Sequence, residues 1–455
     1  MFENLKKYKK KVAIDGEYIK KFTYEKLVDE SNKLKRKVSS KSVCLLICSN
    51  SIESILGYIA FFNNEKTITI LIDHSFKKNF IKTIIKKFKP NYIFAPRYLN
   101  FNKFKILDSI YNYSLFYRNF QIDKKINYKN FLLLPTSGTT QNPKFVRLSK
   151  FNLEDNSKKI INTLKIKSDH TTITTMPMGY SYGLSIINTH LLTGSKIIIN
   201  NRSIFEKKFW EIINKKRVNS FGGVPQFYDL LKKIKFEKQN ISSIKYLTQA
   251  GGKLEQDTLD YLEKIFLIKK INFFKMYGQT EASPRITILN SRNFFEKKGS
   301  VGKPLKGTII ELIDERGKKI NKKNKVGEIM IRGNNVCLGY AKNFRDLFKS
   351  DINKKKLLTG DLAYIDKKNF VYITGRKKRM IKIFGIRMDV DDIESILKKN
   401  KITCICTSKN NKLVLKLDDL KLIEKSKDIL SKHLDINKNY IVAELKEQKS
   451  LKTLL

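Results

Sequence analysis

Apolar runs of strand length alternate with segments of helical spacing along most of this 455-residue chain, which restricts it to a fold built from crossover units. Tyr24, Leu27, Val28, Leu34 and Val38 share one helical face, and Thr23 stands where an N-cap belongs. A strand from Val43 to Cys48, a helix from Ile52 to Phe62, a strand from Thr67 to Ile72, a helix from Phe80 to Phe88 and a strand from Tyr92 to Ala95 follow. The pattern resumes further on, with helices expected near Glu154 to Leu164, Leu184 to Leu192, Pro225 to Ile234 and Gln256 to Ile265. Strands are expected from Thr171 to Met176, Lys196 to Asn200, Tyr246 to Gln249 and Asn272 to Tyr277. Strands joined by helices of this length pair side by side in parallel, so the sheets should be mainly parallel.

From Thr308 to Tyr372 the texture changes to short strands with turns at Glu315-Arg316-Gly317, Gly333 and Asp366 to Asn369, which suggests a small β-barrel-like region or antiparallel sheet. The polar crossing Arg376-Lys377-Lys378-Arg379 marks a boundary near Gly375. The chain is thus read as α/β. Residues 1–374 form a large N-terminal domain of mainly parallel α/β sheets plus the barrel-like region, and 375–455 form a small α+β C-terminal lid. There is no internal repeat.

Composition excludes several classes of function. Hydrophobic residues make up 41%, as in globular proteins. No apolar run reaches the roughly 18–20 residues that span a bilayer, the longest being interrupted by Ser49, Asn50, Ser51 and Glu53. The start carries positive charge with no apolar segment of signal-peptide length behind it, so a cytoplasmic location is expected. Five cysteines contain no C-x-x-C pair, and Cys404 and Cys406 would face the same side of a strand, which fits small core residues rather than a zinc site or disulfides. The formal charge of +49 attracts polyanions, yet the lysines are spread along the whole chain, as on a solvated surface without a specific nucleic-acid site. A basic nucleic-acid-binding protein is the competing class, and would show steeply salt-dependent binding. Only four histidines (His74, His170, His190 and His433) leave little for a Ser-His hydrolase.

The chemistry concentrates in a few short strings. Behind the apolar run Phe131 to Leu134 comes Pro135-Thr136-Ser137-Gly138-Thr139-Thr140-Gln141-Asn142-Pro143-Lys144, placed as the loop at a strand's end. Its hydroxyls and backbone N–H groups can donate to phosphate oxygens, Gly138 permits close approach, and Lys144 supplies a point charge. A Walker loop is excluded, because Pro143 precedes Lys144 and no Ser or Thr follows it. Met276-Tyr277-Gly278-Gln279-Thr280-Glu281-Ala282 follows an expected strand, and an acid beside a hydroxyl there can hold Mg²⁺. Leu358-Thr359-Gly360-Asp361 offers a carboxylate able to accept both hydroxyls of a ribose.

Taken together, these strings resemble those of the adenylate-forming superfamily of acyl-CoA synthetases and adenylation domains. The loop is similar to T-S-G-T-T-G-x-P-K-G, with Gln141 and Phe145 in place of two glycines. Tyr277 to Glu281 is similar to Y-G-x-T-E, Ala250-Gly251-Gly252 to the adenine-binding turn, and Val326 to Gly333 with Gly339-Tyr340 to the family's G-E strand and its G-Y sequel. Gly375 to Arg387, ending in Asp392-Ile393-Glu394, resembles G-R-x-x-x-x-I-K-x-x-G-x-R-x-x-x-x-E-I-E.

The resemblance implies ATP bound by Thr136, Ser137, Gly138, Thr139, Thr140 and Lys144, with Thr280 at phosphate and Mg²⁺ held by Thr136 and Glu281. It implies adenine on Tyr277 and Gly278 and against Ala250, Gly251 and Gly252, and ribose at Asp361 and Arg376. Lys378 would then sit at a hinge, and Lys382 and Gly385 would face the site in one of two lid orientations. Pro177 to Leu184 aligns with the substrate-side motif P-x-x-H-x-x-G, with Tyr180 in the histidine's place; Tyr180, Tyr182 and Gly183 would border the acid. Gly183 stands where amino-acid-activating members carry Asp, which points to a simple or hydroxylated acid. The lysine between carboxylate and α-phosphate is matched by Lys449, with Lys446 and Lys452 as rivals. The implied reaction is ATP-dependent activation of a small carboxylic acid as acyl-adenylate, then transfer to a thiol. That thiol is coenzyme A, or the phosphopantetheinyl arm of a carrier protein. Gln141, Phe145 and Tyr180 also allow a member that binds nucleotide without chemistry.

Overall fold

The computed structural model describes residues 2–17, 21–39, 41–65, 67–120, 126–127, 129, 131–136, 144–294, 296–377, 380–383, 386–409, 412–434 and 437–445. Two compact units divide the chain, one comprising Met1–Ile310 and Ile331–Leu357, the other Glu311–Met330 and Leu358–Leu455.

In the first unit an eight-stranded sheet runs in the order Gly339–Ala341, Phe145–Leu148, Leu132–Pro135, Ile68–Asp73, Val43–Cys48, Tyr92–Pro96, Tyr113–Tyr117, Lys105–Ile110. Its four central strands are parallel and its edges antiparallel. Along Val43–Cys48 the side chains alternate between two cores. Val43, Leu45 and Ile47 pack with Phe88 and Phe145 on one face, while Cys44, Leu46 and Cys48 pack with Leu27, Ile55 and Leu153 on the other. Burial on both faces is why the strand reads as an unbroken apolar run.

The second sheet of this unit has nine strands, with Val12–Gly16, Lys196–Ile199, Thr171–Ile173, Ser220–Gly223, Tyr246–Gln249 and Asn272–Gly278 parallel at its centre. Helices Tyr24–Lys37, Ile52–Phe62, Lys150–Leu164 and Ser181–Thr193 supply Leu27, Ile55, Leu153 and Leu184 to the core that also takes Leu46 from one sheet and Ile197 from the other. Thr23 caps the first of these helices, accepting from Lys26 N at 3.2 Å. Ser149 and Asn152 form a capping box that starts the third helix four residues before the expected position.

The second unit carries a five-stranded sheet (Lys319–Ile320, Ile309–Ile313, Gly327–Arg332, Lys356–Ile365, Val371–Arg376), whose paired ends are antiparallel. It continues into the hairpin Met380–Ile383 with Ile386–Asp389, then a three-stranded sheet packed with helices Val390–Lys399 and Ile423–Leu434. The barrel-like region of the sequence is thus an open sheet grouped with the C-terminal residues. Gly375, the expected boundary, lies on a strand inside this unit, opposite Leu362. Cys404 and Cys406 do share a face, with Sγ atoms 3.5 Å apart in the apolar core, and both are free thiols.

Candidate functional site

The parallel strands of both sheets place their carboxyl ends where loops can gather around a ligand. On the eight-stranded sheet, Leu132–Pro135 leads into Thr136, whose N–H donates to the Lys144 carbonyl at 3.1 Å and closes the base of the loop. Ser137, Gly138, Thr139, Thr140 and Gln141 lie outside the described residues. The next strand, Phe145–Leu148, pairs antiparallel with Leu132–Pro135. The Lys144 ammonium lies 3.3 Å from the centre of the Tyr340 ring, whereas Phe145 is fully buried with its ring 5.2 Å from that of Phe88. Phe145 is therefore a core residue.

On the nine-stranded sheet, Asn272–Gly278 ends in a tight approach. A Cβ on Gly278 would lie 1.9 Å from the Pro284 carbonyl oxygen, so no other residue fits. A short 3₁₀ turn, Thr280–Ala282, follows. Here Tyr340 donates its hydroxyl to Glu281 Oε1 at 2.9 Å, and Ser181 Oγ meets Thr280 Oγ1 at 3.2 Å. Burial and the Glu281 carboxylate both push the Tyr340 hydroxyl's pKa upward, so it remains a donor. Cys337 N donates to the Glu281 carbonyl at 2.9 Å, fixing the turn. Arg147, fully buried, donates to the carbonyls of Leu338, Lys349 and Ser350 at 2.8, 2.6 and 3.0 Å, which locks the segment bearing Tyr340. Lys144, Tyr340, Glu281, Thr280 and Ser181 thus form one contiguous set. The sequence singled out three of them; Tyr340 stood in the G-Y string and Ser181 in the substrate-side string, each without a role.

Hydroxyl and carboxylate oxygens are the hard donors that Mg²⁺ takes, and Tyr340 engages only one oxygen of Glu281. Among the described residues no group of three or more His, Cys, Asp or Glu side chains could hold a metal ion alone. Such a donor set fits a magnesium ion bound through one carboxylate together with ligand phosphates.

The adenine-side turn follows strand Tyr246–Gln249: Ala250 is buried, its N–H donating to Gly223 O at 3.2 Å, while Gly251 has φ +90° and is exposed beside Gly252. Tyr277 is half-buried at the end of the neighbouring strand.

On the acid side, Tyr180 is the N-cap of helix Ser181–Thr193 and 42% exposed. Asn50 Oδ1 accepts from Met178 N at 3.0 Å, and Gly179 lies against Asp73 so closely that a Cβ would be 2.8 Å away, placing Tyr180 at the end of strand Ile68–Asp73. Burial, then the Asp73 charge, raise the Tyr180 pKa. Gly183 meets the Pro177 carbonyl oxygen, where a Cβ would be 2.1 Å distant, so packing alone requires glycine there. Tyr182 is buried, its hydroxyl 2.8 Å from Thr248 O.

In the second unit Asp361 is 2% exposed and accepts from Arg376 Nε at 2.7 Å. Lys377 pairs with Glu328 at 2.7 Å, and Glu328 also accepts from Gly360 N at 3.2 Å, so the Thr359-Gly360-Asp361 stretch of strand Lys356–Ile365 is held from both sides. Lys382 lies on the hairpin opposite Arg387. Lys378, Gly385, Lys446, Lys449 and Lys452 fall outside the described residues.

Comparison with known proteins identifies relatives of the chain. Oxalate–CoA ligase of Saccharomyces cerevisiae is 31% identical over 271 residues, 58% of this chain and 48% of that protein, so the match spans about half the relative's length. The structure of o-succinylbenzoate CoA synthetase from Bacillus subtilis with its acyl-adenylate intermediate superposes with a TM-score of 0.76 at 19% identity, covering 96% of this chain and 92% of that one. The same synthetase with ATP and magnesium ion gives 0.75 at 19% identity, over 95% and 93% of the two chains. These structures share the fold. The AMP-binding enzyme family matches residues 1–341, three quarters of the chain and all of the Lys144–Tyr340–Glu281 constellation, and the chain belongs to that family.

Proposed function

We propose that the protein activates a small carboxylic acid with ATP and Mg²⁺ as an acyl-adenylate, releasing pyrophosphate, and passes the acyl group to the thiol of coenzyme A. The observation that carries this reading is the contiguous set Lys144, Tyr340, Glu281 and Thr280, a cation and a carboxylate on one tyrosine beside a phosphate loop. Carboxylate and phosphate oxygens repel each other, so the protein's task is to neutralise charge and align the reactants. Lys144 would meet the departing phosphates, and Thr280 with Ser181 would donate to phosphate oxygens. Thr136 and Glu281 would hold Mg²⁺, which withdraws charge from the phosphates when bound.

Ser137, Gly138, Thr139 and Thr140 would supply further donors. Tyr277, Gly278, Ala250, Gly251 and Gly252 would receive adenine, and Asp361 and Arg376 the ribose. Lys382 and Lys449 would come from a mobile C-terminal segment hinged at Lys378, with Lys449 bridging carboxylate and α-phosphate. Tyr180 and Tyr182 would border the acid. Support for coenzyme A as the acceptor comes from the relatives' names, oxalate–CoA ligase and o-succinylbenzoate CoA synthetase. No helix among the described residues is long and apolar enough to cross a membrane, and a cytoplasmic location is part of the same proposal.

The test is ATP–[³²P]pyrophosphate exchange over a panel of carboxylic acids, followed by thioester formation with coenzyme A or a phosphopantetheinyl carrier protein. Exchange with an acid and thioester with coenzyme A are expected. ATP binding without exchange for any acid would favour a nucleotide-binding member lacking chemistry.

A further inference from the structure

Arg285 opens strand Arg285–Leu289 of the nine-stranded sheet and is 3% exposed, and no carboxylate among the described residues offsets its charge. The groups around the guanidinium are neutral. Its Nε donates to Met276 Sδ at 3.2 Å, Nη2 makes a long bond to Ser185 Oγ at 3.4 Å, and the centre of the Tyr182 ring lies 4.2 Å away. The ring attracts the cation without neutralising it, and five N–H donors exceed what these contacts use. Burial with no counter-charge pushes the pKa down to about 10, so the group stays cationic at neutral pH. A buried charge without a partner is strongly destabilising.

The guanidinium forms part of the wall of a cavity of about 20 Å³ between helices Lys150–Leu164 and Ser181–Thr193 and the sheet, room for one water or an ion of similar size. No acidic side chain lines it, and His190, whose pKa burial pushes down to about 4, is neutral, so Arg285 carries the only charge on the wall. Most hydroxyl hydrogens there are already spent. Ser185 donates to Tyr182 O at 2.7 Å, Thr189 to Ser185 O at 2.8 Å, Thr172 to Ser220 O at 3.1 Å and Tyr182 to Thr248 O at 2.8 Å. His190 donates Nδ1–H to Ile186 O at 2.8 Å, leaving Nε2 to accept from the Tyr246 hydroxyl at 3.3 Å. Ser220 is the exception: it is 2% exposed, lines the cavity, and its hydroxyl makes no hydrogen bond. The wall thus offers unspent donors from Arg285 and Ser220, one positive charge, and nothing negative.

We propose that this cavity is a buried binding site for a monatomic anion, chloride, held by the Arg285 guanidinium and the Ser220 hydroxyl. Its size excludes carboxylates and phosphate, and the guanidinium excludes a metal cation. A water would take the same hydrogen bonds and leave the charge unoffset. A halide accepts from both donors and also supplies the negative charge that the site lacks. The ion would tie strand Arg285–Leu289 to strand Ser220–Gly223, which are separated in the sheet by Tyr246–Gln249 and Asn272–Gly278, so its effect is on stability. The inference stands apart from the acid-activating reading and does not depend on it.

The test uses the full chain purified without halide. Crystals soaked in sodium bromide, whose anomalous scattering distinguishes it from water, should show an anomalous peak in the cavity within hydrogen-bond distance of Arg285 and Ser220; no peak there overturns the inference. In solution, replacing sodium gluconate by sodium chloride at constant ionic strength should raise Tm by about 2–5 °C, because an ion bound only by the folded chain stabilises it. Constant ionic strength holds the screening of the surface lysines fixed. The rise should vanish in Arg285→Met and shrink in Ser220→Ala. An equal rise in Arg285→Met would assign the effect to surface lysines and overturn the site. If Arg285→Met does not fold, Ser220→Ala decides: a smaller response than wild type upholds the site, and an undiminished one overturns it.

Discussion

Lys144 and Glu281 meet on a single side chain: the ammonium lies 3.3 Å from the centre of the Tyr340 ring, and the carboxylate accepts the same tyrosine's hydroxyl at 2.9 Å. The cation rests on the negative face of the ring and the anion at its polar tip, the geometry in which each interaction is favourable. Arg147 in turn holds the Tyr340 segment by three backbone carbonyls.

Lys144→Ala and Glu281→Ala should each lower pyrophosphate exchange by about 100-fold or more, the usual worth of an electrostatic contact to a reacting phosphate. Tyr340→Phe keeps the ring beneath Lys144 and loses the hydrogen bond to Glu281, so a smaller loss of roughly 10-fold is expected. An unchanged rate in Lys144→Ala and Glu281→Ala would remove the phosphate-site assignment.

Tyr180 faces the strand end at Asp73, and its raised pKa makes it a poor base at neutral pH. Tyr180→Phe should therefore alter KM or the preference among acids and leave kcat within a few-fold. A collapse of kcat at unchanged KM for every acid would instead make the hydroxyl a participant in the reaction.

Lys449→Ala should abolish adenylate formation while sparing thioester formation from supplied acyl-adenylate, since one ammonium between carboxylate and α-phosphate serves only the first step. Measuring the two half-reactions separately tests this. Equal losses in both, or a loss found only in Lys446→Ala or Lys452→Ala, would assign the role elsewhere.

Stability should fall in acid through His190. Burial pushes its pKa down to about 4, from an ordinary value of about 6.5. Below pH 6.5 the unfolded chain takes up a proton that the folded protein refuses, so stability is lost as pH falls from about 6.5 towards 4. Between pH 6.5 and 5 this amounts to about 2 kcal/mol, the neighbouring groups being His170 and Tyr246. Urea unfolding of the wild type and His190→Gln at both pH values should show the variant losing less; parallel losses would place the acid sensitivity in other groups.

Much of the fold could be read from residue order because helices and parallel strands buried on both faces leave continuous or periodic apolar signatures. Val43–Cys48 and Ile52–Phe62 were placed to the residue. Lys105–Ile110 leaves no such mark, being an edge strand whose side chains are largely exposed. Lys207–Lys215 does carry a helical period, burying Phe209, Trp210, Ile212 and Ile213 on one face, although no helix is expected there from the reading above. Phe145–Leu148 was hidden by its neighbour, since the polar loop reads straight into it.

The site was partly legible. Thr280, Glu281 and Lys144 stand in strings whose chemistry is local. Tyr340 reaches them only because Gly339–Ala341 pairs with Phe145–Leu148, a contact between residues nearly 200 positions apart.

Lys144 and Phe145 give the chain a safeguard against its own misfolding. The strand they begin is pinned on both sides, by Leu132–Pro135 and by Gly339–Ala341, and successive side chains point to opposite faces. A slip of one residue would carry the ammonium into the cluster of Phe88, Ile84 and Leu133 and turn the aromatic ring out toward water. Both moves are unfavourable, the buried charge by several kcal/mol. The placement of the phosphate-loop lysine is thereby tied to the hydrophobic collapse of the opposite face, so a molecule that has completed that core has also aimed its cation.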